Sequence, residues 1–126
     1  MICALIILDA HLLDVFVFDE IEALFKRSKQ DPQLFKLLHS DKIVFFLHLL
    51  GLDTNGHTHR PHSQEYLNNI KVVDAGIKKI ERILKDFYTD DATAFVVTAD
   101  HGMSDRGNAT FFKLTRAIRS SRRWSS

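Results

Sequence analysis

A single cysteine, Cys3, stands among 126 residues, so no disulfide can form within the chain. The compartment stays open, because lumenal domains without disulfides occur beside cytosolic ones. No apolar run approaches the ~18 residues that span a bilayer, so any membrane link must lie outside this chain. Met1 to Leu8 has the look of a signal-peptide core. However, no Lys or Arg precedes it, it stops at Asp9, and no small-residue cleavage site follows. A large net charge is also missing. At +1, charge gives no reason to expect a nucleic-acid or acidic partner. Acidic residues run out only at the end, where Lys113, Arg116, Arg119, Arg122 and Arg123 form a basic tail. Such a tail is expected to be solvated and disordered.

What remains is the material of one small globular domain. Hydrophobic residues make up 45% and charged residues 26%, which excludes disorder by composition. The ten Phe residues sit mostly in short apolar runs that read as core.

Asp19 and Glu20 place acids at a helix start, Ile21, Leu24 and Phe25 follow at helical spacing, and Lys26, Arg27 and Lys29 close it. Val15 to Phe18 is too short to assign. Asp31-Pro32 is a cap with a first-turn proline, and Leu34, Phe35, Leu37 and Leu38 give a second apolar face. Lys42 to Leu50 is a continuous apolar run, the pattern of a strand buried on both faces of a parallel sheet. His48 within it reads as a core residue. Gly51 to Pro61 reads as a polar turn region, and Ser63 as the cap of a long helix in which Ile70, Val73, Ile77, Ile80, Leu84 and Phe87 step by three and four. Ala94 to Ala99 is a second buried strand. Strand, long helix, strand predicts an α/β fold with a parallel βαβ unit flanked by helices.

In open α/β sheets, ligands bind beyond the carboxyl ends of the strands. Two polar clusters fall there: Asp53 with His57, and Asp100 with His101. Carboxylate and imidazole together suit zinc or manganese. A chain folded back at Gly56 brings Asp53 and His57 to one ion, and Asp100 with His101 reaches a second. Two ions ~4 Å apart can clamp the attacking and leaving oxygens of a phosphoryl transfer. Each short motif alone is unspecific, since an Asp after a strand is often only a helix cap. Their placement at consecutive strand ends is what joins them. His59 and His62 read as loop histidines, with His59 the candidate substrate contact.

The segment Phe46-Leu47-His48-Leu49-Leu50-Gly51-Leu52-Asp53-Thr54-Asn55-Gly56-His57-Thr58-His59-Arg60-Pro61 resembles the metal-site strand and loop of the ethanolamine phosphate transferases that act on GPI-anchor precursors. Thr98-Ala99-Asp100-His101-Gly102-Met103-Ser104-Asp105-Arg106-Gly107 resembles their second metal motif, and the likeness runs from about Asp9 to Gly107. It implies part of an alkaline-phosphatase-like fold, with residues 9–107 belonging to a lumenal catalytic domain and 108–126 forming a divergent tail. It implies transfer of phosphoethanolamine from phosphatidylethanolamine to the first mannose of a GPI-precursor glycolipid, at the endoplasmic reticulum membrane. Asp53, His57, Asp100 and His101 would hold two divalent ions, zinc or manganese.

The family's Thr or Ser nucleophile is expected upstream of this region. The histidine that closes the first metal site is expected after Gly107, where Asn108-Ala109-Thr110 stands instead. The resemblance therefore implies a catalytically incomplete piece, inactive by itself and joined to the membrane through segments absent here. The alternatives are a phosphodiesterase or phosphomutase of the same superfamily, which share the short motifs, or a non-catalytic remnant.

Overall fold

Helix α1 runs His11–Ser28, with Asp14 in its first turn and Lys26 and Arg27 in its last. It absorbs the unassigned Val15 to Phe18 stretch, because Phe18 and Phe25 lie two turns apart on one face and bury together. The computed structural model describes residues 10–90 and 92–110, and the backbone of 115–119. The expectations for Met1 to Leu8 and for most of the basic tail lie outside them. Helix α2, Pro32–Leu38, begins as its sequence dictates: the Asp31 carboxylate accepts the amides of Gln33 and Leu34 at 3.0 and 3.1 Å. Helix α4, Gln64–Tyr88, starts under the Ser63 hydroxyl, which accepts the Tyr66 amide at 3.1 Å, and ends at Thr89 in the left-handed conformation.

These helices enclose the core. Phe18, Phe25, Leu38, Ile80 and Leu84 are buried in one cluster. The Phe25 ring meets Phe45 and Phe87 at centroid distances of 5.4 and 4.8 Å. Each such side chain contributes roughly 1.5–3 kcal/mol when fully buried. On the solvent side, the Lys79 ammonium of α4 reaches Glu22 of α1 at 2.5 Å. The fold is thus mixed helix and strand, with the helices dominant.

Two expectations change. Gly51 to Pro61 is not a turn: Gly51–His59 is helix α3. Nor do the described residues contain a parallel βαβ unit. Lys42 to Leu50 forms no strand ladder. Its side chains alternate: Phe45, Leu47 and Leu49 pack on the helical core, while Val44 and Phe46 face outward, 86% and 83% exposed. His48 is exposed, beside Phe46, not a core residue. Strand β1, Ala94–Thr98, does form, but pairs antiparallel with β4, Thr115–Arg119, with Val96 opposite Ala117. Of its five residues only Phe95 joins the core. The apolar runs read as buried on both faces because their composition is that of central strands. Here each has the helical layer on one side only. A short hairpin completes the described structure, β2 Gly102–Met103 against β3 Ala109–Thr110.

Candidate metal centre

Asp53 lies in the first turn of α3, and His57 four residues later on the same face, so one helix presents both side chains together. No fold-back at Gly56 is needed. The His57 Nε2 stands 3.3 Å from Asp53 Oδ1. From the other cluster, His101 follows the end of β1 and brings its Nε2 to 3.5 Å from the same oxygen. Asp100 is turned outward, 88% exposed, with its Oδ1 3.9 Å from His101 Nε2. The fold therefore gathers Asp53, His57 and His101, and leaves Asp100 at the edge.

Hydrogen bonding fixes how the imidazoles face. The Nδ1 of His57 donates to the Gly107 carbonyl at 2.7 Å, and the Nδ1 of His101 to the Gly102 carbonyl at 2.9 Å. A carbonyl only accepts, so each Nδ1 carries a proton and each neutral ring keeps its lone pair on Nε2. Both Nε2 atoms lie close to Asp53 Oδ1, a buried oxygen with no hydrogen-bond partner. Three acceptors converging on one point repel unless something positive sits among them. The Gly102 bond, with Asp100 and Asp53 behind it, raises the His101 pKa above its ordinary value against the opposing effect of burial.

The hairpin is held against α3 by close packing. Gly107 has φ 75°, a left-handed turn that glycine adopts without strain, and a side chain there would meet Arg60 and the Gly56 carbonyl. Gly56 in turn lies under Met103 and the Tyr66 ring. Burial, with the Asp53 charge in support, raises the Tyr66 pKa. At the rim, His59 donates through Nδ1 to Asn55 at 3.2 Å, and His62 meets Asp105 at 3.0 Å in solvent. Sequence reasoning missed the two carbonyls, Asn55 and Tyr66, since nothing in backbone oxygens or a helix tyrosine marks them before the fold is known.

The sequence profile of the type I phosphodiesterase / nucleotide pyrophosphatase family matches residues 16–124. The chain belongs to that family. A relative from Emericella nidulans named GPI ethanolamine phosphate transferase 1 is 62% identical over 100 residues, 79% of this chain and 11% of the relative. Proteins of the same name from Mus musculus and Homo sapiens are 54% and 50% identical over 101 residues, again 79% of this chain and 11% of theirs. The chain thus spans about a tenth of the length of the curated relatives it matches. No solved structure matches it. Within this type I phosphodiesterase family member, the matched region takes in α3, β1 and the hairpin, and so every residue of the cluster.

No three His, Cys, Asp or Glu side chains form a ready-made ligand shell among the described residues. What the donor set offers is an orphaned carboxylate oxygen between two oriented imidazole nitrogens, and that suits a divalent cation. No helix among the described residues is long and apolar enough to cross a membrane.

Proposed function

We propose that the chain is part of the catalytic domain of a GPI-anchor ethanolamine phosphate transferase, and that Asp53, His57, Asp100 and His101 are its contribution to a divalent-metal centre. The observation that carries the proposal is the convergence of His57 Nε2 and His101 Nε2 on the unpartnered Asp53 Oδ1. It occurs in a chain 50–62% identical to relatives named for that transfer. Two ligands on ~2.0–2.1 Å bonds to a tetrahedral zinc stand roughly 3.3–3.4 Å apart. The separations here are 3.3 and 3.5 Å. The closeness of these two separations to that value supports zinc on this reading, and the ligand types suit manganese as well.

A bound ion supplies Lewis-acid polarisation of a phosphoryl oxygen. The chain's own groups supply the rest. Gly107 and Gly102 hold the imidazoles in the liganding tautomer, Asp53 neutralises charge at the centre, and His59 at the rim contacts the phosphate ester. The substrates under this reading are phosphatidylethanolamine and the first mannose of a GPI precursor, at the lumenal face of the endoplasmic reticulum membrane. In the longer relatives, Lys42 to Leu50 would take its place beside β1 as a parallel strand, completing a βαβ unit through α4. A transfer nucleophile is to be sought upstream of these residues.

Calorimetric titration of the purified chain with zinc chloride tests the metal centre. Asp53→Ala should weaken binding by about tenfold or more, and unchanged binding would refute the assignment. The same substitution at the matching position of a full-length relative should abolish phosphoethanolamine transfer in membranes. The family match supports a second reading, hydrolysis of a phosphodiester. Release of free phosphoethanolamine, without transfer to the glycolipid, would favour it.

A further inference from the structure

Away from the candidate metal cluster, the described residues include one fully buried carboxylate. Asp14 of α1 is 0% exposed. Its Oδ1 accepts the Gly51 amide at 2.8 Å, and its Oδ2 accepts the Asn69 side-chain amide of α4 at 2.8 Å. Gly51 opens α3, whose N-cap Leu50 has no capping side chain of its own. The carboxylate that caps α3 thus comes from a different helix, at the end where the helix dipole favours an anion. There is no slack at this joint. A side chain on Gly51 would run into the Ala10 carbonyl and the Asp14 carboxylate. Asn69 is also buried, and its Oδ1 has no partner.

We infer that Asp14 is a positioning residue for the metal centre: it pins the first amide of α3 to α1 and α4, and so sets where Asp53, two residues on, and His57 face His101. The inference rests on the metal reading of that cluster. Burying a carboxylate and an amide costs free energy that an apolar joint would avoid, unless every bond is made. The pair is therefore better understood as fixing one geometry than as adding stability. An outer partner that orients a ligand-bearing element typically changes metal affinity when it is removed.

Two measurements on the purified 126-residue chain test this: amide hydrogen exchange without metal, and calorimetric titration with zinc chloride. The variants are Asp14→Ala, Asp14→Asn and Asn69→Ala. In Asp14→Asn the carboxamide can still accept from Gly51. It can also donate to the Asn69 oxygen once that amide turns over, so both bonds persist. Asp14→Ala should lose exchange protection over residues 51–59 while α1 and the C-terminal half of α4 stay protected, and zinc affinity should fall about tenfold or more. Asp14→Asn should restore both to near the wild-type values.

Wild-type protection of α3 in Asp14→Ala, or protection lost evenly across all the helices, would overturn the inference. So would lost α3 protection with unchanged zinc affinity. Should Asp14→Ala not fold, Asn69→Ala, which removes one of the two bonds, should move the same residues in the same direction, and uniform behaviour there would again overturn the inference. Should the wild-type chain bind no zinc, the metal reading fails, and the exchange pattern alone decides whether Asp14 positions α3.

Discussion

Phe25 and Phe46 both come from short apolar stretches, yet one is 2% exposed and the other 83%. They belong to different halves of the molecule. Phe25 sits where α1, α2 and α4 meet, among elements that satisfy their backbone hydrogen bonds internally and need only apolar faces to pack. Phe46 sits on an extended segment whose amides form no ladder in the described structure. Its inner face is covered by helices, and its outer face is bare. A helical layer can close with what one short stretch of chain provides, whereas a sheet needs neighbours on both edges and both faces. Val44 and Val96 repeat the lesson, both well exposed despite composition typical of central strands.

The contrast can be broken most directly by truncation. Phe25→Ala should cost about 3–5 kcal/mol in urea denaturation, as for other core aromatics, while Phe46→Ala should stay within about 0.5 kcal/mol. Equal losses would mean that the outer face is covered in solution. A smaller effect lies within the helical half: Asp31→Ala removes the α2 cap and should cost about 1 kcal/mol by the same measurement.

The smallest is electrostatic. Hydrogen bonds and charge from Lys26 and Lys79 bring the Glu22 pKa from 4.5 to about 2. A pKa lowered in the folded state stabilises above the unfolded value of 4.5, and the contribution is lost as pH falls through about 2. The partner Lys79 is raised from 10.5, so its share is present below that value and is lost as pH rises past it. Glu22→Gln should lower stability slightly at neutral pH, flatten the acid limb of the melting curve between pH 4.5 and 2, and converge with wild type in stronger acid, the effect being small because the pair is only half-buried.

Much of the helical half was legible because helix signals are local. The Asp31-Pro32 cap, the Ser63 cap and the three-four stepping of α4 each depend on residues within a few positions, and each appears as expected. Strand pairing is not local. The Lys42 to Leu50 run names no partner, and β1 found one in Thr115–Arg119, inside the basic tail. Helix α3 was missed because Gly51, Asn55 and Gly56 read as turn residues, while the anion that caps it stands 37 positions away in Asp14. The Asp–His cluster was legible in its residue types but not in its centre. Sequence spacing divides Asp53-His57 from Asp100-His101, whereas the fold turns Asp100 outward and gives Asp53 both imidazoles.

The unpartnered oxygen of Asp53 has a thermodynamic consequence. Unfolding scatters the three groups that face one another there, and folding assembles them, so under the metal reading proposed above cation capture and folding would be parts of one equilibrium. A positive species that binds only the assembled site raises stability by RT ln(1 + [L]/Kd). Protons compete for the same lone pairs, so acid lowers the affinity for metal. On that reading, the melting temperature of this chain would be a gauge of the free cation around it.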